Sequence, residues 1–283
     1  MKSWKVAGLT VLACMAGGAV LAGAAVFHGW YDVSATGSHT LPVHDLLDVA
    51  QTRSVQRRAA GIAAPDLDDP DRARNGAGLF RANCVQCHGA PGVAPESYAL
   101  GLNPPPAALV ATARERPAPD IFWIIQQGIK MTGMPAWRYR LTDAEIWDVV
   151  AFMRVLPTLS PEAYREWEGG ERTSAPALPG RPEAQARVGS AAAGRNAVQQ
   201  YLCATCHVIP GVAGARHHVG PSLAGIADRS YVAGTLPNTE ANMQRWLLAP
   251  GQVKPGTAMP DLGLTDQDAR DISAFLQTLR QAD

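Results

Sequence analysis

This chain lacks an excess of either charge: 25 basic residues balance 25 acidic ones across 283 positions, so the formal net charge is zero. No basic footprint exists for tracking phosphates, which excludes nucleic acid as a partner. Cysteine is also scarce. There are five, and four of them sit in two short motifs, which leaves one thiol, Cys14, too few for a disulfide framework. Charge vanishes altogether from Val6 to Phe27. What remains is 47% hydrophobic and 18% charged, a globular profile whose length suits about two domains.

The four cysteines stand in Cys84-Val85-Gln86-Cys87-His88 and Cys203-Ala204-Thr205-Cys206-His207. C-x-x-C-H is the attachment signature of c-type haem: two thiols add to the vinyl groups of one porphyrin, and the next histidine supplies the proximal nitrogen. Two copies imply two covalently attached haem c groups on Cys84, Cys87, Cys203 and Cys206, with His88 and His207 as iron ligands. A zinc ribbon would pair its Cys-x-x-Cys knuckles about 15–20 residues apart, whereas Cys87 and Cys203 are more than a hundred apart. A thioredoxin-type dithiol needs a βαβ setting, and no alternating strand pattern precedes either motif.

Lys2 and Lys5 precede the uncharged run, which is long enough to cross a bilayer of roughly 30 Å. Basic residues before the run and none close after it place the start of the chain in the cytoplasm and the rest outside. Ala22-Gly23-Ala24 offers the rival reading of a cleavage site, but the run exceeds a signal-peptide core, and the expectation is a retained anchor over residues 1–28. Cys14 reads as a small apolar residue within that span, since a lipoprotein cut there would halve it. Residues 29–70 form a connecting segment with a helical signal. Thr40 is its expected cap, Pro42 its first turn, and Val43, Leu46, Leu47 and Ala50 recur at helical spacing. Arg53, Arg57 and Arg58 follow near its end. Such a helix is either a strut on the membrane or a partner subunit, or an ordinary surface helix. His28, His39 and His44 have no second ligand at useful spacing.

Residues 71–159 make the first expected domain. A helix with Gly76 and Phe80 leads into Cys84, and glycine on that stripe admits a close helix. The expected partner helix opens at the capping box Thr142-Asp143-Ala144-Glu145 and stops before Pro157. Between them lie Asn103-Pro104-Pro105-Pro106, a helix from Asp120 to Gln127 with Trp123, and Lys130-Met131-Thr132-Gly133-Met134-Pro135. Residues 160–187 are rich in glycine and proline and read as a linker, with Tyr164 and Trp167 in a short turn. Residues 188–283 repeat the first domain's order of parts. Gly194, Val198 and Tyr201 precede Cys203, and Gly220-Pro221-Ser222-Leu223 follows His207. Asn238 or Thr239 caps a helix with Trp246, Met259-Pro260 comes next, and Thr265 caps a last helix. Met134 follows His88 by 46 residues and Met259 follows His207 by 52.

Helix, C-x-x-C-H, proline loop, aromatic helix, Met-Pro and terminal helix together resemble class I cytochrome c. The resemblance implies an all-α fold of two class I cytochrome c domains in tandem after one N-terminal transmembrane helix. It makes Met134 and Met259 the distal ligands opposite His88 and His207, with Met131 a rival to Met134. It also implies a backbone carbonyl from the proline loop on the second ring nitrogen of each histidine. Ala107 stands where the pattern has proline, which a carbonyl acceptor does not require. His217 and His218 fall on the proximal side and read as surface residues.

The second domain, through Gly234-Thr235-Leu236-Pro237-Asn238-Thr239, Trp246, Lys254-Pro255-Gly256 and Met259-Pro260, is similar to the cytochrome c domain fused to subunit II of some haem–copper oxidases. The first half, with Gly29-Trp30-Tyr31-Asp32-Val33, is similar to membrane-anchored bacterial cytochromes. These resemblances imply an electron carrier of a respiratory chain, not an enzyme by itself. It would be anchored in the bacterial inner membrane with its haem domains periplasmic, exchanging electrons with a terminal oxidase or serving as its subunit, its other expected redox partners being a dehydrogenase, a quinol-oxidising complex or a soluble cytochrome. The alternatives are the cytochrome subunit of a membrane dehydrogenase and a di-haem peroxidase, which would need one iron able to open a coordination position.

Overall fold

The computed structural model describes residues 2–168 and 187–281. The chain divides into two compact units, residues 1–35 and residues 36–283. The first contains α1 (Lys2–Phe27), whose side chains from Trp4 to Phe27 are exposed except at the half-buried Ala24 and Ala25. By length and composition it is the one helix among the described residues apolar enough to cross a membrane.

The second unit is mostly helical. It opens with α2 (Leu41–Ala59), continues through α3 (Pro70–Asn83) and the single turn α4 (Val85–His88), then α5 (Leu109–Glu115), α6 (Ala118–Gln127), α7 (Asp143–Val155) and α8 (Pro161–Glu168). After the undescribed stretch come α9 (Ala191–Gln200), α10 (Cys203–Cys206), α11 (Glu240–Leu248), α12 (Pro250–Val253) and α13 (Asp266–Leu276). The departure from an all-helical reading is a two-residue hairpin, β1 (Tyr231–Val232) with antiparallel β2 (Leu236–Pro237). Gly234 at φ +71° lets the chain reverse there within three residues.

Caps explain where the main helices start. Thr142 and Glu145 complete a reciprocal capping box on α7. Thr239, not Asn238, caps α11 by accepting from the Asn242 amide, and Thr265 caps α13. The side chain of Thr40 makes no cap on α2, whose start relies on Pro42 in its first turn. Residues 160–168, expected as linker, instead form a helix start at Ser160 followed by α8. The Ser160 hydroxyl accepts from the Ala163 amide, Tyr164 is fully buried beside Phe80 and Phe152, and Trp167 tilts on Phe152 at 5.7 Å. Two aromatics three residues apart share a helix face and close over the first core. The rest of that linker, 169–186, lies outside the described residues.

Each half closes through the same crossing. In the first, α3 lies across α7 so closely that a Cβ on Gly76 would fall 1.8 Å from the Asp148 carbonyl oxygen; in the second, one on Gly194 would fall 1.9 Å from that of Asp271. Only glycine permits such backbone contact. Around the crossings sit Ile146, Val150 and Met153 in the first half, and Val198, Ile272 and Leu276 in the second. Full burial of such side chains stabilises by about 1.5–3 kcal/mol each.

An arginine reaches each crossing aspartate, Arg72 at 2.8 Å from Asp148 and Arg187 at 2.8 Å from Asp271. The balance then differs. Burial dominates at Asp148 and raises its carboxyl above the usual range despite Arg72. At Asp271 burial also pushes upward, but the Ser190 amide, Arg187 and Gln267 outweigh it and hold the carboxyl below its ordinary value of 3.8.

Two outcomes follow. Gly194→Ala should lower stability by about 3 kcal/mol, because the new methyl has nowhere to go, as read from denaturant midpoints. A group whose folded pKa is depressed contributes stability above its unfolded value and loses it on acidification. Asp271→Asn should therefore cost about 2 kcal/mol at neutral pH and progressively less below pH ~4. Asp148→Asn should show no such loss in the same denaturation series.

Candidate functional site

The two motifs form two similar sites. Cys84 ends α3, its amide donating to the Phe80 carbonyl, and the chain coils on so that the amides of Cys87 and His88 both donate to the Cys84 carbonyl, at 3.1 and 3.0 Å. In the second half the His207 amide donates to the Cys203 carbonyl at 3.0 Å. One tight turn thus holds two sulfurs and an imidazole on a short stretch of chain.

Nδ1 of His88 lies 2.7 Å from the Ala107 carbonyl oxygen, and Nδ1 of His207 lies 2.7 Å from that of Pro221. The carbonyl expected from the proline loop is present in both halves, supplied by alanine in one and proline in the other. Each Nδ1–H donates to it, which orients the ring and leaves Nε2 with a lone pair for a metal. Burial lowers both imidazole pKa values, against the opposing pull of the carbonyls, and favours the neutral ligating form. A Cβ at Gly220 would come within 2.4–2.9 Å of the His207 ring, so the chain there cradles the imidazole.

The sulfurs are apolar in character. Burial, with the neighbouring cysteine second, pushes the Cys84 and Cys203 thiols up to about 12. Neutral sulfurs in dry surroundings suit thioethers and oppose a thiolate metal centre. Cys84 packs against the same hydrophobic cluster as Met134, and Cys203 against the same one as Met259. Among the described residues no group of three His, Cys, Asp or Glu side chains could hold another metal. The donor set and its apolar shell fit a covalently attached haem in each half.

Met134 and Met259 are half-buried against their cores, while Met131 is 96% exposed. Trp123 and Trp246 are half-buried. His217 is half-buried and 3.6 Å from Glu115, and His218 is exposed. Several residues carry no signal in the sequence and emerge only here. Trp147 stacks on Phe122 at 4.3 Å within the cluster that Met134 joins. Tyr98 lies beside Cys87, and burial first, then Cys87, raises its phenol above the ordinary value. Leu100 packs into the core of the second half, and the Gly101 amide donates to the Gln200 carbonyl at 2.8 Å, three residues before Cys203. A cleft of about 440 Å³ separates Glu162 and Arg165 on α8 from the loop carrying Met259 and Asp261.

Comparison with known proteins matches residues 71–153 to the family described as cytochrome c oxidase, cbb3-type, subunit III, and residues 191–280 to the family described as cytochrome c. Two curated proteins named cytochrome c oxidase subunit 2 are similar. That of Alkalihalophilus pseudofirmus is 29% identical over 88 residues, 31% of this chain and 25% of the relative. That of Bacillus sp. strain PS3 is 32% identical over 82 residues, 28% of this chain and 23% of the relative. The chain thus spans about a quarter of the length of these relatives. No solved structure matches it. The chain carries two cytochrome c domains, one over residues 71–153 and one over residues 191–280.

Proposed function

We propose that this protein is a membrane-anchored di-haem cytochrome that relays electrons in a bacterial respiratory chain, delivering them to a terminal oxidase or serving as a subunit of one. Residues 1–28 are its anchor, 71–159 and 188–283 its haem domains, held on the periplasmic side of the inner membrane. The observation that carries the reading is the pair of histidines, each with Nδ1 on a backbone carbonyl at 2.7 Å, repeated in two halves that each match a cytochrome c family. The family matched by residues 71–153 and the two similar curated proteins all bear the names of oxidase subunits, which supports the oxidase as acceptor.

When bound, haem supplies a one-electron iron centre at each site. Cys84, Cys87, Cys203 and Cys206 would hold it covalently. His88 and His207 would ligate through Nε2, fixed in tautomer and direction by the carbonyls of Ala107 and Pro221. Met134 and Met259 would supply the second ligand at each site, and their soft thioethers would favour the reduced metal and raise its potential. With a histidine and a methionine both committed to the iron, the site would have no place for a substrate, and it would exchange electrons and do no bond chemistry. The cores around Phe122, Trp147, Met243 and Phe275 exclude water and keep the ligands from rearranging. Contact from Leu100 and Gly101 to Gln200 joins the two halves a few residues from Cys203, which suits transfer within the molecule.

Met134→Leu and Met259→Leu should each remove about half of the red-region absorption that sulfur-ligated ferric iron gives, and lower the potential of one haem. Met131→Leu should change neither, and a loss of the band in that variant would transfer the ligand role to Met131. Acidic organic extraction of the denatured protein should leave two equivalents of pigment on the polypeptide. Affinity isolation from solubilised membranes should bring terminal-oxidase subunits with the chain; repeated isolation without them would refute the oxidase partnership.

A further inference from the structure

Helix α2 is built the wrong way round for a water-facing helix. Its inward side is settled by contacts. Val55 and Ala59 are buried, Thr52 meets Arg116, Asp48 pairs with Arg216 at 2.6 Å, and the His44 ring packs on Gly214. At 100° per residue the opposite side carries Val43, Leu46, Val49, Ala50, Arg53 and Arg57, all exposed. An outward face normally gathers the polar residues. This one has apolar residues over its first half, with Leu46 69% and Val49 56% exposed, then two arginines. It has no carboxylate: Asp48 turns inward to Arg216, and Asp45 sits to the side against His44.

We propose that this face of α2 docks on an anionic lipid surface, with Leu46 and Val49 entering the headgroup–acyl boundary and Arg53 and Arg57 meeting phosphates. An exposed apolar stripe ending in arginines without acids offers the two kinds of contact, apolar and cationic, that an anionic lipid surface takes up. Lipid is the occupant because of what precedes the helix. The inference rests on α1 crossing the membrane, and only residues 28–40 separate α1 from α2. That stretch reaches at most about 45 Å, so the face can never leave the neighbourhood of the bilayer. The connection also carries exposed Trp30 and Tyr31, residue types that favour the membrane–water boundary. Since α2 touches both haem domains, through Arg116 in one and Arg216 in the other, lipid contact here would hold both at a set height above the membrane.

The test uses the haem-loaded full chain with Cys14→Ser, in which the other four cysteines are thioethers. Leu46→Cys is compared with Glu240→Cys on an exposed helix end of the second domain. Each is alkylated by a membrane-impermeant maleimide in phosphatidylcholine vesicles with and without phosphatidylglycerol, and in detergent. Alkylation at Leu46→Cys should slow about tenfold in the anionic vesicles, that at Glu240→Cys should not change, and adding Arg53→Glu with Arg57→Glu should restore the fast rate. Equal rates at the two positions in anionic vesicles overturn the proposal, and so does protection at Leu46→Cys that persists in detergent, which would mean that protein covers the face. Alkaline carbonate washing reports separately on α1. A chain that resists washing while Leu46→Cys reacts freely keeps its anchor and loses this docking surface.

Discussion

Everything in the two cytochrome c halves depends on one close approach, the backbone of a leading helix against the backbone of a closing one. At Gly76 and Gly194 the missing side chain is the space into which the carbonyls of Asp148 and Asp271 fit. Because α3 and α9 are pinned there, their last turns release Cys84 and Cys203 at defined places over the core. A methyl group at either glycine would part the helices and move a cysteine pair, a histidine and the surrounding apolar wall together. The site is therefore held from a distance by packing, and its own residues need only finish the geometry.

That finishing is done with few polar contacts. One carbonyl orients each imidazole, and burial keeps it neutral. Burial holds the Cys84 and Cys203 thiols neutral, surroundings that suit a thioether better than a charged thiolate. The same dryness that raises the thiols protects the half-buried methionines from water. A site built in this way resists rearrangement on gain or loss of an electron, the property that an electron carrier requires.

The halves are also tied to each other, through Gly101 on Gln200, Glu115 near His217, and Asp48 on Arg216. These contacts involve Gln200 on α9, Glu115 on α5 and Asp48 on the inward side of α2, and they leave Leu46 and Val49 of its outward face exposed. Those exposed residues are the surface offered to the lipid proposed above.

Local chemistry was enough for the sequence to reveal the attachment motifs, the repeat, the Thr142 and Thr265 caps, the glycine stripe and the uncharged first helix. Each is a short-range pattern: ligand spacing, a hydroxyl before a helix, a residue without a Cβ, a run without charge. The hairpin at 231–237 and helix α8 were hidden because each is stabilised by distant residues, α8 by Phe80 and Phe152 more than 70 positions earlier or on another helix. Tyr98 beside Cys87, Trp147 on Phe122, and the opposite balance at Asp148 and Asp271 were likewise invisible. By itself the sequence determined what chemistry the chain can hold, since C-x-x-C-H specifies its cofactor within five residues. Only the tertiary structure decided which carbonyl orients each histidine, which methionine turns inward and which face of α2 is left uncovered, because those depend on the packing of segments far apart in the chain.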